Sequence, residues 1–405
     1  MSVGSVRTRR RAADAAQSAS PFALSISVLA CAMFVVVTTE FVVVGLLPAI
    51  AGDLNLSLSQ AGWLVSWFAL GAALLGPPLT MLAGRYEPRH TLVATAMVFA
   101  VGNLTAALIP HYPVLIGVRL VQGCALPVFA SVAIVAAARL AGSGREGWSA
   151  SLVNLGMVGA TVLGIPAGAM IAEMTAWPAS FAVLALLGFV SAALLAIRLP
   201  RLGVVKPPSL RAEASLMWRP AFLAHLLLSG LLFTAMFVGY SYIVPLLSVI
   251  AGRDDALAGW MLMGFGVTGV FGNWIAGRVV DRDPLAATAW IAGTLALAMA
   301  AIGLAGGSLA FLVMLIGLWG AAHMAAFIAC QVGAMVAGRE APAFAMSLNI
   351  SVCNLGIALG AFIGGRVVDL YGAGATGYGA AALAIGALVV AVAMMVRRRD
   401  SFADN

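Results

Sequence analysis

The sequence predicts an all-α polytopic membrane protein. We expect twelve transmembrane helices, arranged as two pseudo-symmetric six-helix bundles with both termini in the cytoplasm. Three observations predict this fold: the composition, the distribution of basic residues and an internal repeat. Of the 405 residues, 62% are hydrophobic and 9% are charged, with a mean hydropathy of +1.05. Soluble domains carry about 25% charged residues, and the apolar runs are long enough for helices rather than barrel strands.

Apolar runs of about 20 residues or more, separated by short polar loops, give the twelve predicted spans. They cover residues 22–50, 60–82, 91–110, 114–138, 148–171, 178–197, 221–249, 257–277, 286–305, 309–335, 343–365 and 376–396. A signal peptide would have an apolar core of about 7–15 residues. The first run is roughly twice that length, so we expect it to be retained as the first span.

The basic residues predict the orientation. All but three of the 22 Lys and Arg residues fall in segments that a cytoplasmic N-terminus and twelve spans place in the cytoplasm, as the positive-inside rule requires. We therefore interpret the net charge of +7 as topology and expect no nucleic-acid partner. The predicted units are a basic N-terminal tail (1–21), a first bundle (22–197), a cytoplasmic linker (198–220), a second bundle (221–396) and a cytoplasmic tail (397–405).

The two halves repeat in sequence. The tripeptide AGW at 61–63 recurs at 258–260, and Pro48 matches Pro245, both at an offset of 197 residues. SLVNLG at 151–156 matches SVCNLG at 351–356, at an offset of 200. Matches at a nearly constant offset indicate duplication of a six-span unit. In transporters built from such parallel repeats, the substrate site lies at the repeat interface near the membrane midplane.

Several stretches carry a resemblance to a known family. They are TTEFVVVGLLPAIAGDLNLSLSQAGWLVS (38–66), RYEPRH (85–90), RLVQG (119–123), GMVGATVLGIPAG (156–168) and GRVVDRD (277–283). The chain resembles the major facilitator superfamily from about residue 22 to 396, and more narrowly its twelve-span drug/proton antiporter branch with the sugar- and nucleoside-efflux relatives. It departs from many members in having Gly84 where they have Asp, and Ala125-Leu126-Pro127 where some close relatives have Ala-His-Gly.

The resemblance implies two conformational motifs. One is the pair of loops that contain Arg85, Arg89, Gly277, Arg278, Asp281 and Arg282. A helix end and nearby cations could hold Asp281 in one conformation, or these charges could only set topology. The other motif contains Gly156, Gly159, Gly164, Pro166 and Gly168. Small residues let helices approach closely in lipid and proline permits a kink, which fits a moving or leak-sealing interface or a static packing helix.

One acid and one base lie deep in the spans, and we predict that they couple transport to protons. Glu40 lies roughly 6 Å past the centre of span 1, and Arg119 lies about 10 Å from the centre of span 4 on the same side. A carboxylate in a low-dielectric cavity responds to desolvation and to a nearby cation, and opening the cavity to alternate sides changes both. The alternative is a structural Glu40–Arg119 pair that fixes helix register. For Arg119 we favour electrostatic tuning, since a guanidinium keeps its proton.

Six further residues are candidates for the wall of a substrate cavity. Trp319 precedes His323 by four residues, so the two share a helical face. The others are Tyr240, Phe237, Met33 and Gln122. Each could equally be a packing residue of the bundle.

The sequence contains no motif that would make an enzyme or an ATP-driven pump. HExxH, GxSxG and GxxxxGK[ST] are absent. The four cysteines sit in apolar runs without CxxC spacing, so we expect no metal site and no cofactor. We predict a monomeric, proton-coupled efflux antiporter of the bacterial inner membrane, whose partners are the lipid bilayer, protons and a small-molecule substrate. Hydrophobic drug-like molecules, as in multidrug resistance, are the expected substrates; the alternative is export of sugars or purine nucleosides.

Overall fold

A computed structural model describes residues 23–142, 146–204, 216–250, 255–280, 282–304, 308–340 and 342–403. Over these ranges the chain is helical and contains no strand. The α-helices are α1 (Ala23–Asp53), α2 (Leu58–Ala83), α3 (Pro88–Leu108), α4 (Tyr112–Ala141), α5 (Glu146–Gly159), α6 (Ile165–Met174), α7 (Trp177–Arg198), α8 (Pro220–Tyr240), α9 (Ile243–Ile250), α10 (Asp255–Val279), α11 (Pro284–Ala301), α12 (Leu309–Ala337), α13 (Pro342–Tyr371) and α14 (Thr376–Ala403).

The prediction of an all-helical membrane protein is confirmed. In the described ranges, eleven helical segments are long and apolar enough to cross a membrane. Helix α10 occupies the predicted eighth span and is not among those eleven. The count of twelve spans and the cytoplasmic termini stay predictions. Helix α14 runs to Ala403, so the predicted tail from residue 397 begins as helix.

Two predicted spans are interrupted where proline removes a backbone donor. The seventh span divides into α8 and α9, because Pro245 has no N–H for the carbonyl of Ser241. The fifth span contains a π-helical turn, Ala160–Gly164, which ends two residues before Pro166, and the amide of Ile165 is bonded to the carbonyl of Ala160. Such π-helical turns occur frequently at functional sites.

Capping residues begin the helices after short loops. Ser57 accepts a hydrogen bond from the Gln60 amide (3.1 Å), and the Gln60 side chain accepts one from the Ser57 amide (2.9 Å), which is a complete capping box for α2. Glu87 caps α3, which begins at Pro88. We call the two ends of the bundle the 54–57 end and the 84–87 end, after these loops.

The same helix pairings occur before and after the segment 199–219. Helix α1 packs on α5 and α7, α2 packs on α4, and α3 packs on α4 and α7; correspondingly, α8 packs on α13 and α14, α10 packs on α12, and α11 packs on α12 and α14. At atomic detail, Gly123 lies against the carbonyl of Phe68, and Gly320 lies against the carbonyl of Phe265. The two contacts are equivalent, because Gly320 follows Gly123, and Phe265 follows Phe68, by the same 197 residues as the sequence repeat.

A seam joins these two sets of helices, with α2 against α13 and the π-helical turn against α10. The Ser66 hydroxyl donates to the carbonyl of Ala358 across it (3.1 Å). Towards the 54–57 end, the Tyr242 ring fills the space over Gly62, where a Cβ atom would collide with the phenol oxygen. Close packing along the seam therefore reaches from the first turns of α2 toward the middle of the bundle.

Candidate functional site

Arg119 is buried (2% exposed) and binds backbone rather than a carboxylate. Its guanidinium donates to the carbonyls of Thr39 (2.6 Å), Glu40 (2.6 Å) and Leu64 (3.2 Å), and its Cζ lies 4.2 Å from the centroid of the Phe68 ring. Three charge-assisted hydrogen bonds and a cation–π contact replace the water that the cation loses on burial. The side chain thereby joins α4 to α1 and α2.

The Glu40 side chain is also buried, with 8% of its surface exposed. Within the described residues, its carboxylate has no ion pair within 4.0 Å and no hydrogen bond. Arg119 contacts the backbone of this residue, while the two side-chain charges attract each other over a longer distance. Arg119 therefore contacts the backbone carbonyl of Glu40, and the expected pair between the two side-chain charges stays a prediction.

Glu40 lies beside the seam. The neighbouring Phe41 ring stacks on Phe237 of α8, with centroids 5.9 Å apart, and meets Tyr240 edge-on at 6.3 Å. These contacts join α1 to α8, the repeat-related helix. At the offset of 197 residues, Phe237 occupies the position that corresponds to Glu40.

His323 lies at the centre of a group of rings that we call the aromatic cluster. Its ring centroid lies 4.8 Å from Tyr240, 5.3 Å from Phe265, 5.6 Å from Phe237 and 5.8 Å from Phe327. The other members are Phe233, stacked beside Phe237, and Trp319, edge-on to Phe265. The cluster draws its residues from α8, α10 and α12.

Two buried polar atoms of the cluster have no partner among the described residues: His323 Nδ1 and Trp319 Nε1. They lie one helical turn apart on α12. An unpaired buried polar group is costly, because it has given up water without gaining a protein partner. The cluster thus offers aromatic faces and two hydrogen-bonding atoms in one place.

The structure brings four of the six predicted cavity residues together, namely His323, Trp319, Tyr240 and Phe237. Met33 is buried in the core formed around α1. Gln122 instead bonds to α3, donating to Asn103 Oδ1 (3.0 Å) and to the carbonyl of Phe99 (3.3 Å).

The glycine motif packs along one face of α1. A Cβ atom at Gly156 would collide with the carbonyl of Ala30, one at Gly164 with the Thr38 hydroxyl, and one at Gly168 with Val42. Gly159 faces Phe34 at an ordinary 3.4 Å. Pro166 is buried at the start of α6. The motif therefore forms a close helix contact that runs alongside the turn of α1 that carries Glu40.

The paired loop motifs are more exposed. Arg85 and Arg282 face solvent, and Gly277 has open space around it. Arg89 donates to the carbonyl of Ala196. Arg278 stacks over Trp274 at 3.7 Å and donates to its carbonyl (3.0 Å). Asp281, the proposed latch residue, lies outside the described residues.

Glu87 and Arg139 hold the first residues of the linker, and we call this contact the clamp. The sequence did not predict it. Glu87 Oε1 accepts a hydrogen bond from the Leu202 amide (3.0 Å), and Arg139 donates to the carbonyls of Leu202 and Gly203, the latter at 3.0 Å. Partial burial raises the pKa of Glu87, but hydrogen bonds from the amides of Leu202, Arg89 and His90 outweigh it and hold the pKa below its usual 4.5.

Sequence reasoning also missed Phe41, Phe265, Phe327 and Asn103 as members of these sites. A signal existed for two of them. Phe265 is the repeat partner of Phe68, which packs on Arg119, and Asn103 is a lone amide in the apolar run of α3.

A bundle of apolar helices with two repeated halves and buried polar groups at their seam defines a membrane transporter. The chain belongs to the Major Facilitator Superfamily, whose family model matches residues 29–336. It is 32% identical to the inner membrane transport protein YdhP of Escherichia coli O157:H7, over 84% of this chain and 87% of that protein. It is 28% identical to the uncharacterized MFS-type transporter YtbD of Bacillus subtilis (strain 168), over 85% and 88%.

Solved structures share the fold at low sequence identity. The human organic anion transporter MFSD10 (TETRAN) superposes with a TM-score of 0.66 and 17% identity, over 91% of this chain and 98% of that one. A bacterial homolog of the human lysosomal transporter Spinster, in an inward-facing and unoccupied conformation, superposes with a TM-score of 0.69 and 16% identity, over 93% and 95%. Family membership points to a multi-pass membrane transporter rather than an enzyme.

Proposed function

We propose that this protein is a proton-coupled antiporter that exports small hydrophobic, drug-like molecules across the bacterial inner membrane by alternating access. The observation that carries the proposal is the environment of Glu40. Its carboxylate is buried beside the seam without a hydrogen bond from any described residue, while Arg119 is held nearby by backbone carbonyls. We place the 84–87 end in the cytoplasm, in keeping with the basic residues there.

In this proposal Glu40 binds the transported proton and Arg119 stays charged throughout. The guanidinium is fixed by three carbonyls, so its position does not depend on the charge of Glu40. When the seam separates, the carboxylate exchanges its proton with the open side. When the seam closes, Phe41 returns to Phe237 and Tyr240, and water is excluded from the acid.

The aromatic cluster is the proposed substrate surface. Its rings offer stacking area for apolar and aromatic molecules. A substrate that occupies the cluster would separate it from Phe41, the ring next to Glu40 along the chain. Binding of the substrate at the aromatic cluster therefore affects binding of the proton at Glu40. Exchange transport requires such competition between the two.

The test is substrate-driven proton movement in proteoliposomes that enclose a pH-sensitive dye. We expect some drugs of a hydrophobic fluorescent panel to release protons from the wild-type protein when they are added, and the dye reports this release. The variant Glu40→Gln should lose this release while keeping the thermal unfolding midpoint of a folded protein, because an amide cannot carry the proton. Glu173→Gln, an exposed acid on α6, is the matched control and should behave as wild type. Normal coupling in Glu40→Gln would contradict the proposal.

Export of sugars or purine nucleosides is the second candidate. The unpartnered atoms His323 Nδ1 and Trp319 Nε1 favour it, because such substrates combine a stacking face with many hydrogen-bonding groups. The same assay decides between the candidates if sugars and nucleosides are added to the panel. Proton release with nucleosides and none with the drugs would select the second.

A further inference from the structure

Tyr242 lies where the two sets of helices meet at the 54–57 end. Its side chain is fully buried, and its ring packs with Leu47 and Ala51 of α1 and with Ala61 of α2. Val368 of α13 packs against this small apolar cluster, which is separate from the main core. One side chain of the second set of helices therefore fills a space whose walls come mostly from the first set.

Three glycines leave room for the ring. A Cβ atom at Gly62 of α2 would collide with the phenol oxygen. Cβ atoms at Gly364 and Gly365 of α13 would lie 2.8 Å from a ring carbon and 2.6 Å from the phenol oxygen, which is closer than side chains approach each other. The hydroxyl donates to the carbonyl of Ala361 (2.9 Å). Helices on both sides of the seam are therefore shaped to this one ring.

Tyr242 belongs to the turn between α8 and α9 and not to the interior of a helix. Its amide bonds to the carbonyl of Gly239 (3.2 Å), which closes a tight turn. The hydroxyl of the preceding residue, Ser241, is buried and has no partner among the described residues. Short turns at helix ends are where hinge motions are absorbed. Rotation of α9 at this turn would carry the ring out of its site while α8 keeps its packing.

The sequence repeat shows that only one side of the seam has this ring. At the offset of 197 residues, Tyr242 corresponds to Gly45, and Gly62 corresponds to Gly259. A Cβ atom at Gly45 would lie 3.3 Å from the side chain of Ile165, so α1 and α6 leave no room for a ring there. No atom of the described residues lies within 4 Å of a Cβ atom at Gly259. The ring therefore closes the contact of α2 with α13, and the repeat-related contact of α10 lacks it.

We propose that Tyr242 holds α2 against α13 at the 54–57 end, and that its ring must leave this site before that end of the bundle opens. Parting of the two helices around the ring would expose its faces to water and break its bond to Ala361, and both changes cost free energy. Tyr242 is a positioning residue, because it acts through the arrangement of the helices. The proposal rests on the alternating access of the proposed function, but on neither its proton nor its substrate.

The experiment measures how fast a thiol beneath the ring reacts with a water-soluble maleimide. The variant Ala61→Cys places the thiol in the apolar cluster, and the labelled full-length protein, held in nanodiscs, is mapped by mass spectrometry. Adding Tyr242→Phe keeps the ring, so it opens no space, but removes the bond to Ala361. We expect labelling at position 61 to become about five-fold faster, the factor that one ordinary hydrogen bond gives. An unchanged rate, or no labelling with either residue at 242, would overturn the proposal.

Two controls separate opening of the seam from general loosening. The native Cys353 of α13 is 6% exposed, and its labelling should stay equally slow in both proteins. Tyr378→Phe is the matched control, because the Tyr378 phenol lies against Gly303 within the second set of helices, and it should leave the rate at position 61 unchanged. An equal rise with Tyr378→Phe, or a parallel rise at Cys353, would also overturn the proposal. Labelling needs neither proton movement nor substrate, so its outcome is independent of the Glu40→Gln assay.

Discussion

Arg119 directs its guanidinium to backbone carbonyls of two neighbouring helices, and this geometry separates its role from that of Glu40. A lysine at this position would carry the same charge on a single nitrogen and could not reach Thr39, Glu40 and Leu64 together. The planar fork of arginine is therefore required for the joint between α4, α1 and α2.

We expect Arg119→Lys to be destabilised by about 2–4 kcal/mol, because charged hydrogen bonds of about 1.5–3 kcal/mol each would be lost or weakened. The measurement is thermal or denaturant unfolding of the purified protein in nanodiscs. Arg139→Lys, at the exposed clamp on the linker, is the control and should change stability by less. A fully stable Arg119→Lys would show that the three carbonyl contacts do not matter.

The clamp on the linker should depend on pH through Glu87. Because the folded pKa of Glu87 lies below its ordinary 4.5, its stabilising contribution is complete above that value and is lost as the pH falls through the folded pKa. Glu87→Gln should be less stable than wild type by about 1 kcal/mol at neutral pH. The difference in unfolding midpoint should shrink as the pH falls from above 4.5 through the folded pKa of Glu87. A difference that is constant with pH would exclude the carboxylate as its source.

Among the elements, the joined helices α5 and α6 form the closest contact with α1. Gly156 touches the backbone carbonyl of Ala30, which cannot rotate away, whereas Gly159 faces the movable ring of Phe34. The π-helical turn between the two helices brings Gly164 against Thr38, two residues before Glu40. Movement of α5 and α6 would therefore displace the turn of α1 that carries Glu40.

Gly156→Ala should cost about 1–3 kcal/mol, since an added methyl group in a tight contact forces the two backbones apart. Gly159→Ala, three residues later on the same helix, meets its nearest atom at 3.4 Å and should be tolerated. Unfolding midpoints of the two variants in the same detergent make the comparison. Similar midpoints for both would mean that α1 and α5 have room to separate at this contact.

The sequence predicted the helical elements well because the bilayer demands long apolar runs, and proline marks both breaks. It predicted a pair between the Glu40 and Arg119 side chains, because buried charges need compensation, whereas in the structure Arg119 contacts the backbone carbonyl of Glu40. It did not predict that Arg119 would bind backbone carbonyls. Every residue has a carbonyl, so the sequence contains no pattern that marks the ones that Arg119 binds. Phe41 and Phe327 were equally hard to find, because one phenylalanine among many apolar residues carries no signal until its neighbours on other helices are known.

At the scale of the whole molecule, the seam decides how the two sets of helices can move. Ser66 of α2 donates to Ala358 of α13 across it. Ser25 of α1 makes a matching bond to the carbonyl of Arg198, within the first set of helices (2.8 Å). Alternating access requires the first contact to break and the second to persist.

We expect a disulfide or short cross-link in Ser66→Cys/Ala358→Cys to stop transport, and reduction to restore it. The pair Ser25→Cys/Arg198→Cys should cross-link without effect on transport. Flux measured before and after oxidation, with cross-linking followed by mass spectrometry, makes the test. Undiminished flux through the cross-linked Ser66/Ala358 variant would show that the seam stays closed near its middle throughout the cycle.

The two halves are copies in geometry but not in charge. The contact of Gly123 with Phe68 is repeated by Gly320 and Phe265, yet Glu40 corresponds to Phe237 and is the one acid deep in any predicted span. With Glu40 as the proton carrier of the proposed exchange, we expect one proton to move per cycle. Exchange for a neutral substrate then moves one net charge, and each 100 mV of membrane potential adds about 2.3 kcal/mol of driving force. Voltage alone, without a pH gradient, should therefore power export.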